Sequence, residues 1–139
     1  MSNGSGMRGW GTALLRIIVG VVFLMHGAQK FSMGFGNVSE FLGSLHIPVP
    51  FVAAILLTLV EFLGGISLIV GLLTRYVASL LAIDMLVALI TFHVKNGFFA
   101  DKAGVEFPLV LLAACINLIF AGAGALGVDT LRKKSGSTV

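Results

Sequence analysis

Polar side chains that can carry charge, move a proton or orient a head group are set into long apolar runs of this chain: Arg16, His26, Gln29, Lys30, Glu61, Asp84, His93 and Asn117. Carboxylates, imidazoles and cations in such surroundings pair with one another, relay protons, or exchange hydrogen bonds with a bound ring. Their spacing is helical. In Gly11–Phe31, Arg16, Gly20, Phe23, Gly27 and Lys30 share one stripe, with His26 beside it. Ala54, Thr58, Glu61 and Gly65 repeat the pattern, as do Asp84, Ala88, Thr91 and Lys95, and Ala113, Asn117, Ala121 and Gly124. A charge in hydrocarbon costs roughly 2.5–3.5 kcal/mol on insertion scales, so Arg16 must face protein or water.

Depth along the helices suggests partners. At about 1.5 Å per residue, Arg16 lies about 7–8 Å and Asp84 about 12 Å from one end, which predicts an Arg16–Asp84 ion pair. Glu61 falls about 18 Å from that end, within reach of Arg16 or of the His26/Gln29 side, with Gly64 and Gly65 leaving space beside it. His93 projects about 180° from Asp84 on an ideal helix, toward another neighbour or the surface. Two readings follow: a purely structural set of buried pairs, or a substrate or proton path. A bound ring would need hydrogen-bond donors at its polar edges and a proton source, which Arg16, His26, Gln29 and Glu61 supply in a slot lined by Phe23 and Phe62. His26 and His93 at one depth are the minimum for a haem, and with Glu106 for a metal. No HxxxH spacing accompanies them, so no metal site is expected. No P-loop and no strand-borne GxGxxG occurs.

Stepping from the side chains to their carriers, 139 residues make one domain, and 58% apolar, 11% charged and a mean hydropathy of +1.07 are outside the soluble range. Four apolar runs, 11–31, 50–73, 76–95 and 106–126, approach the ~20 residues a spanning helix needs. They predict an all-α polytopic membrane protein, an antiparallel bundle of four transmembrane helices over 11–127. A short polar N-terminal tail (1–10) and a basic C-terminal tail (128–139) flank it. The first run ends in HGAQK, without a cleavage site, and reads as a retained helix. The connection 32–49 holds a short amphipathic turn at 38–45. The single Cys115 forms no disulfide within the chain and reads as a small core residue. Arg8, Arg75, Arg132, Lys133 and Lys134 on one side against Lys30, Lys95 and Lys102 on the other put both termini in the cytoplasm. The net charge of +3 serves orientation rather than nucleic-acid binding.

The segments LLRIIVGVVFLMHGAQKF in the first run, VEFLGGISLIVGLLTR (Val60–Arg75), IDMLVALITFHVKNGFF (Ile83–Phe99) and EFPLVLLAA (Glu106–Ala114) together resemble the DoxX family of small four-helix bacterial membrane proteins. The resemblance implies a bacterial inner-membrane protein. Related members include the small subunit of a thiosulfate:quinone oxidoreductase, a partner in oxidative-stress defence, and proteins linked to quinone or catechol resistance. It assigns no catalytic residue. The favoured expectation is a membrane component of a redox system that interacts with quinone or with a membrane oxidoreductase, in the bilayer and as a homo-oligomer or partner subunit. Its rivals are a non-enzymatic anchor or assembly subunit whose polar stripe is structural, and a small-molecule or proton transporter.

Overall fold

Long apolar runs with no proline beyond their first turns leave the backbone one way to satisfy its own hydrogen bonds, and each becomes a helix. The computed structural model describes residues 3–135. The helices are α1 (Asn3–Met33), α2 (Phe35–Ser44), α3 (Pro50–Val70), α4 (Thr74–Thr91), α5 (Glu106–Ala121) and α6 (Val128–Ser135), with two 3-10 turns, His93–Asn96 and Ala100–Lys102, between α4 and α5. Segments of three helices, Gly6–Met33, Pro50–Val70 and Thr74–Thr91, are long and apolar enough to cross a membrane, while α5 is apolar but shorter at 16 residues. No strand occurs among the described residues.

Packing closes a ring: α1 lies along α3, α3 on α4, α4 on α5, and α5 back on α1. The α1–α3 crossing is the tightest because glycines face each other across it. A methyl group at Gly20 would come 2.8 Å from the Gly65 carbonyl oxygen, and one at Gly27 would come 2.5 Å from the Phe62 nitrogen. Small residues permit this approach where lipid offers no hydrophobic drive to association. The space expected beside Glu61 at Gly65 is therefore filled by α1. Val19, Phe23, Leu68, Leu81, Leu111, Cys115 and Leu118 form the main core. The expected amphipathic turn is a full helix, α2, which buries Val38 and Leu42 against Ala54.

Several boundaries differ from the sequence reading, each for a local reason. The first helix starts at Asn3 rather than near Gly11. Gly71, at φ 74°, ends α3 with its N–H bonded to the Ser67 and Leu68 carbonyls. The fourth run stops at Ala121 because Gly122 (φ 77°) and Gly124 (φ 67°) turn the AGAGALG stretch away from helix. Most of the C-terminal tail is the helix α6; residues 1–2 and 136–139 of the two tails lie outside the described residues. The stripe expected inside on the fourth run is also corrected. Ala113, Asn117 and Ala121 are exposed, and Pro108, Leu111, Cys115 and Leu118 face the core. Larger side chains, Leu111, Cys115 and Leu118, fill that seam.

Candidate functional site

Toward the end where α3 turns into α4, a methyl group at Gly64 would lie 3.3–3.5 Å from the Val77 and Leu81 side chains, and the two helices pack closely. Their remote halves instead line a cavity of about 760 Å³, completed by α1, by α2 and by the first turns of α5. Its walls are apolar, among them Leu57, Val60, Met85 and Leu111. Leu56, Ile83 and Val87, all lining it and all exposed, place hydrocarbon side chains at its rim. Phe41 of α2 meets Phe92, just past α4, edge-on at 5.3 Å, so an aromatic bridge spans the wide end.

Six of the residues singled out from sequence line this cavity: His26, Gln29, Lys30, Glu61, Asp84 and His93. Lys30 Nζ and Glu61 Oε2 form an ion pair at 2.5 Å, with Glu61 only 3% exposed. The Asp84 carboxyl lies beside that of Glu61. Its Oδ2 is buried without a hydrogen-bond partner. Lys30 pairs with Glu61, and its charge also reaches the neighbouring Asp84 carboxyl. The His26 ring lies 6.0 Å from that of Phe107. The helical projection put His93 opposite Asp84, yet both line the cavity, because α4 ends at Thr91 and Phe92 (φ −120°) redirects the chain. His93 Nδ1 is 2.7 Å from the Ala103 carbonyl. A carbonyl only accepts, so Nδ1 carries the hydrogen in this contact, which leaves Nε2 turned to other partners.

Arg16 and Asn117 stand apart from this group. Arg16, 1% exposed, donates from Nε to the Ala123 carbonyl at 2.9 Å and from Nη1 to the carbonyls of Leu68 and Ile69, the latter at 2.8 Å. It clasps the last turn of α3 to the segment after α5, and the expected pair with Asp84 does not form. The carboxylate whose field reaches Arg16 is Asp129. Helix-terminal carbonyls attract cations strongly but leave no trace in side-chain spacing. Phe62, expected in the slot, stacks edge-on with Phe31 at 5.2 Å instead. Glu106 accepts the Ala100 N–H at 2.7 Å and so closes a loop. No cluster able to hold a metal occurs among the described residues.

Asp129 was not singled out from sequence, yet both its oxygens work. Oδ1 accepts the Leu73 N–H at 2.9 Å and Oδ2 the Thr74 N–H at 2.8 Å, capping the start of α4 from α6. Burial raises its proton affinity, but these backbone N–H groups and nearby Arg132 outweigh it and hold the carboxyl below its ordinary pKa. An Asp at the start of a helix read as tail was the available signal.

The DoxX family model matches residues 11–94. A Bacillus subtilis protein named "Putative oxidoreductase CatD" is 36% identical over 86% of this chain and 84% of its own. An uncharacterised Haemophilus influenzae protein is 35% identical over 93% of this chain and 96% of its own. The Escherichia coli inner membrane protein YphA is 28% identical over 84% and 86%. No solved structure matches the chain.

Proposed function

This chain belongs to the DoxX family of membrane proteins, and we propose that it is an inner-membrane component of a redox system, holding a quinone-class ring in the cavity between α1, α3 and α4. The observation that carries the reading is the polar cluster of Lys30, Glu61 and Asp84 in a mostly apolar cavity of about 760 Å³. Apolar pockets with a few convergent polar groups are the usual form of a small-molecule site. The orphaned Asp84 Oδ2 fits such a ring, because a reduced ring's hydroxyl supplies the missing donor. When bound, the group supplies reversible two-electron, two-proton chemistry. The chain's own residues orient it and handle protons: Asp84 Oδ2 and His93 Nε2 accept from hydroxyls, Gln29 and His26 offer donors, and Glu61 with Lys30 holds charge beside the ring. The relative named as an oxidoreductase supports a redox setting.

In the same reading α1, α3, α4 and α5 cross the bilayer antiparallel, with both termini cytoplasmic. The 16 residues of α5 span about 24 Å, so local thinning or adjoining loop completes its crossing. Five basic residues against three set the orientation. Exposed Asn117, on an apolar helix, supports a contact with a partner subunit or a second copy there.

The test is extraction and quantitation of redox-active lipid from protein purified in native membrane discs, for wild type, Asp84→Leu and Glu61→Gln. Wild type should retain a quinone-class molecule near one per chain. Each variant should lose at least about tenfold, as expected when a buried hydrogen bond of about 1.4 kcal/mol disappears. Wild-type extracts with no enrichment over an unrelated membrane protein refute the reading. So does retention that neither variant alters.

A further inference from the structure

A second hollow, of about 500 Å³, lies at the end of the bundle where α3 turns into α4, between the first turn of α4, the loop after α5, and α6. Arg75, Arg132 and Lys133 line it and are exposed. One guanidinium N–H of Arg75 is used, by the Phe120 carbonyl at 3.2 Å, which leaves the rest of the fork facing the hollow. Gly122, without a side chain, lets that guanidinium lie over the end of α5: a methyl there would sit 3.3 Å from Arg75 Nε. Asp129 also lines the hollow, but both its oxygens are occupied by the Leu73 and Thr74 N–H groups. Lys30–Glu61 is the only ion pair among the described residues, so none of the three cations here forms one, although Arg132 lies near enough to Asp129 for its charge to be felt there.

Aromatic side chains fix the depth of this end. Tyr76, in the hollow's wall, is 75% exposed, and Trp10 is 59% exposed. The Gly9 carbonyl accepts the Ala125 N–H at 2.8 Å, which puts Trp10 at the same end of the molecule. Tyr and Trp concentrate at the membrane–water interface, where lipid phosphates lie. A basic hollow between helices at that level suits an anionic headgroup. We propose that this hollow binds a phosphodiester anion, the headgroup of an anionic phospholipid, through Arg75, Arg132 and Lys133.

Native mass spectrometry of the full chain in mild detergent tests this with three probes: dioleoylphosphatidylglycerol, dioleoylphosphatidylcholine and inorganic phosphate. Wild type should bind the glycerol lipid at least tenfold more tightly than the choline lipid. The combined variant Arg75→Gln, Arg132→Gln and Lys133→Gln should lose that preference. A control with Lys95→Gln and Lys102→Gln, which removes charge at the opposite end of the bundle, should keep it. Because Arg75 also holds the end of α5, Arg132→Gln with Lys133→Gln alone is measured beside the triple variant and should lose at least threefold. Inorganic phosphate at millimolar concentration that displaces the lipid fully would assign the hollow to free phosphate rather than lipid. Equal binding of both lipids by wild type, or equal loss in the control, would overturn the proposal.

Discussion

Removing Arg16 should destabilise the bundle without touching the cavity, and the size of the effect can be worked out. Arg16→Met keeps length and apolar stem but deletes three hydrogen bonds to the carbonyls of Ala123, Leu68 and Ile69. Bonds from a charged donor contribute about 1.5–3 kcal/mol each, a gross loss of about 5–9 kcal/mol. Taking a fully buried guanidinium away returns several kcal/mol of desolvation. Leu68 O keeps a second donor, the Gly71 N–H at 3.1 Å. A net cost of about 3 kcal/mol remains, or a midpoint lower by roughly 10 °C for a chain of this size. Arg16→Lys, with a single ammonium to share among three acceptors, should fall between. The assay is thermal unfolding in detergent, run as a double-mutant cycle with Asp84→Leu. Since Arg16 bonds only to backbone, the two changes should add within about 0.5 kcal/mol. A coupling above about 1.5 kcal/mol would mean that Arg16 and Asp84 pair after all, and would refute the clasp.

Gly65→Leu should abolish folded protein, since even a Cβ there collides with the Leu24 backbone, whereas Gly64→Ala, meeting only Val77 and Leu81 side chains at 3.3–3.5 Å, should express with a small shift in midpoint. Asp129→Asn should lower the midpoint at pH 7 by weakening the α4 cap, a loss of about 1 kcal/mol. Its folded pKa lies below the unfolded value of about 3.9, so the cap's full contribution is present above that value and is lost as pH falls through the folded pKa. The gap between wild type and Asp129→Asn should therefore shrink as pH falls below the unfolded value of about 3.9, and a constant gap would exclude the carboxylate as its source. In a Cys115→Ala background, Asn37→Cys and Lys102→Cys should react with an impermeant thiol reagent added outside whole cells while Tyr76→Cys and Ser135→Cys stay protected. Labelling of all four, or the reverse pattern, would remove the proposed topology.

The helices were legible because apolar length and 3.6-residue spacing act locally, and six polar residues that now line one cavity were visible as breaks in those runs. What escaped depended on contacts between distant segments. Arg16 was read correctly as buried, but its acceptors are carbonyls at the ends of other helices. Asp129 caps a helix from more than fifty residues away. The small-residue stripe of α5 looked like the packing face because Ala113, Asn117 and Ala121 have the right period; only the tertiary arrangement shows that Leu111, Cys115 and Leu118 fill the seam. His93 was misdirected by extending an ideal helix past Thr91.

The hydrocarbon rim of the large cavity sets the units in which its occupancy is counted. In the proposed bilayer arrangement, the exposed Leu56, Ile83 and Val87 open it toward lipid chains rather than water. A ligand that arrives this way is a solute of the bilayer, and its driving concentration is its mole fraction there. Each methylene in its tail adds about 0.8 kcal/mol of partitioning, close to fourfold, before any side chain is touched. A contact of only millimolar intrinsic strength then suffices for full occupancy, and an affinity quoted per litre of buffer will drift with the lipid-to-protein ratio.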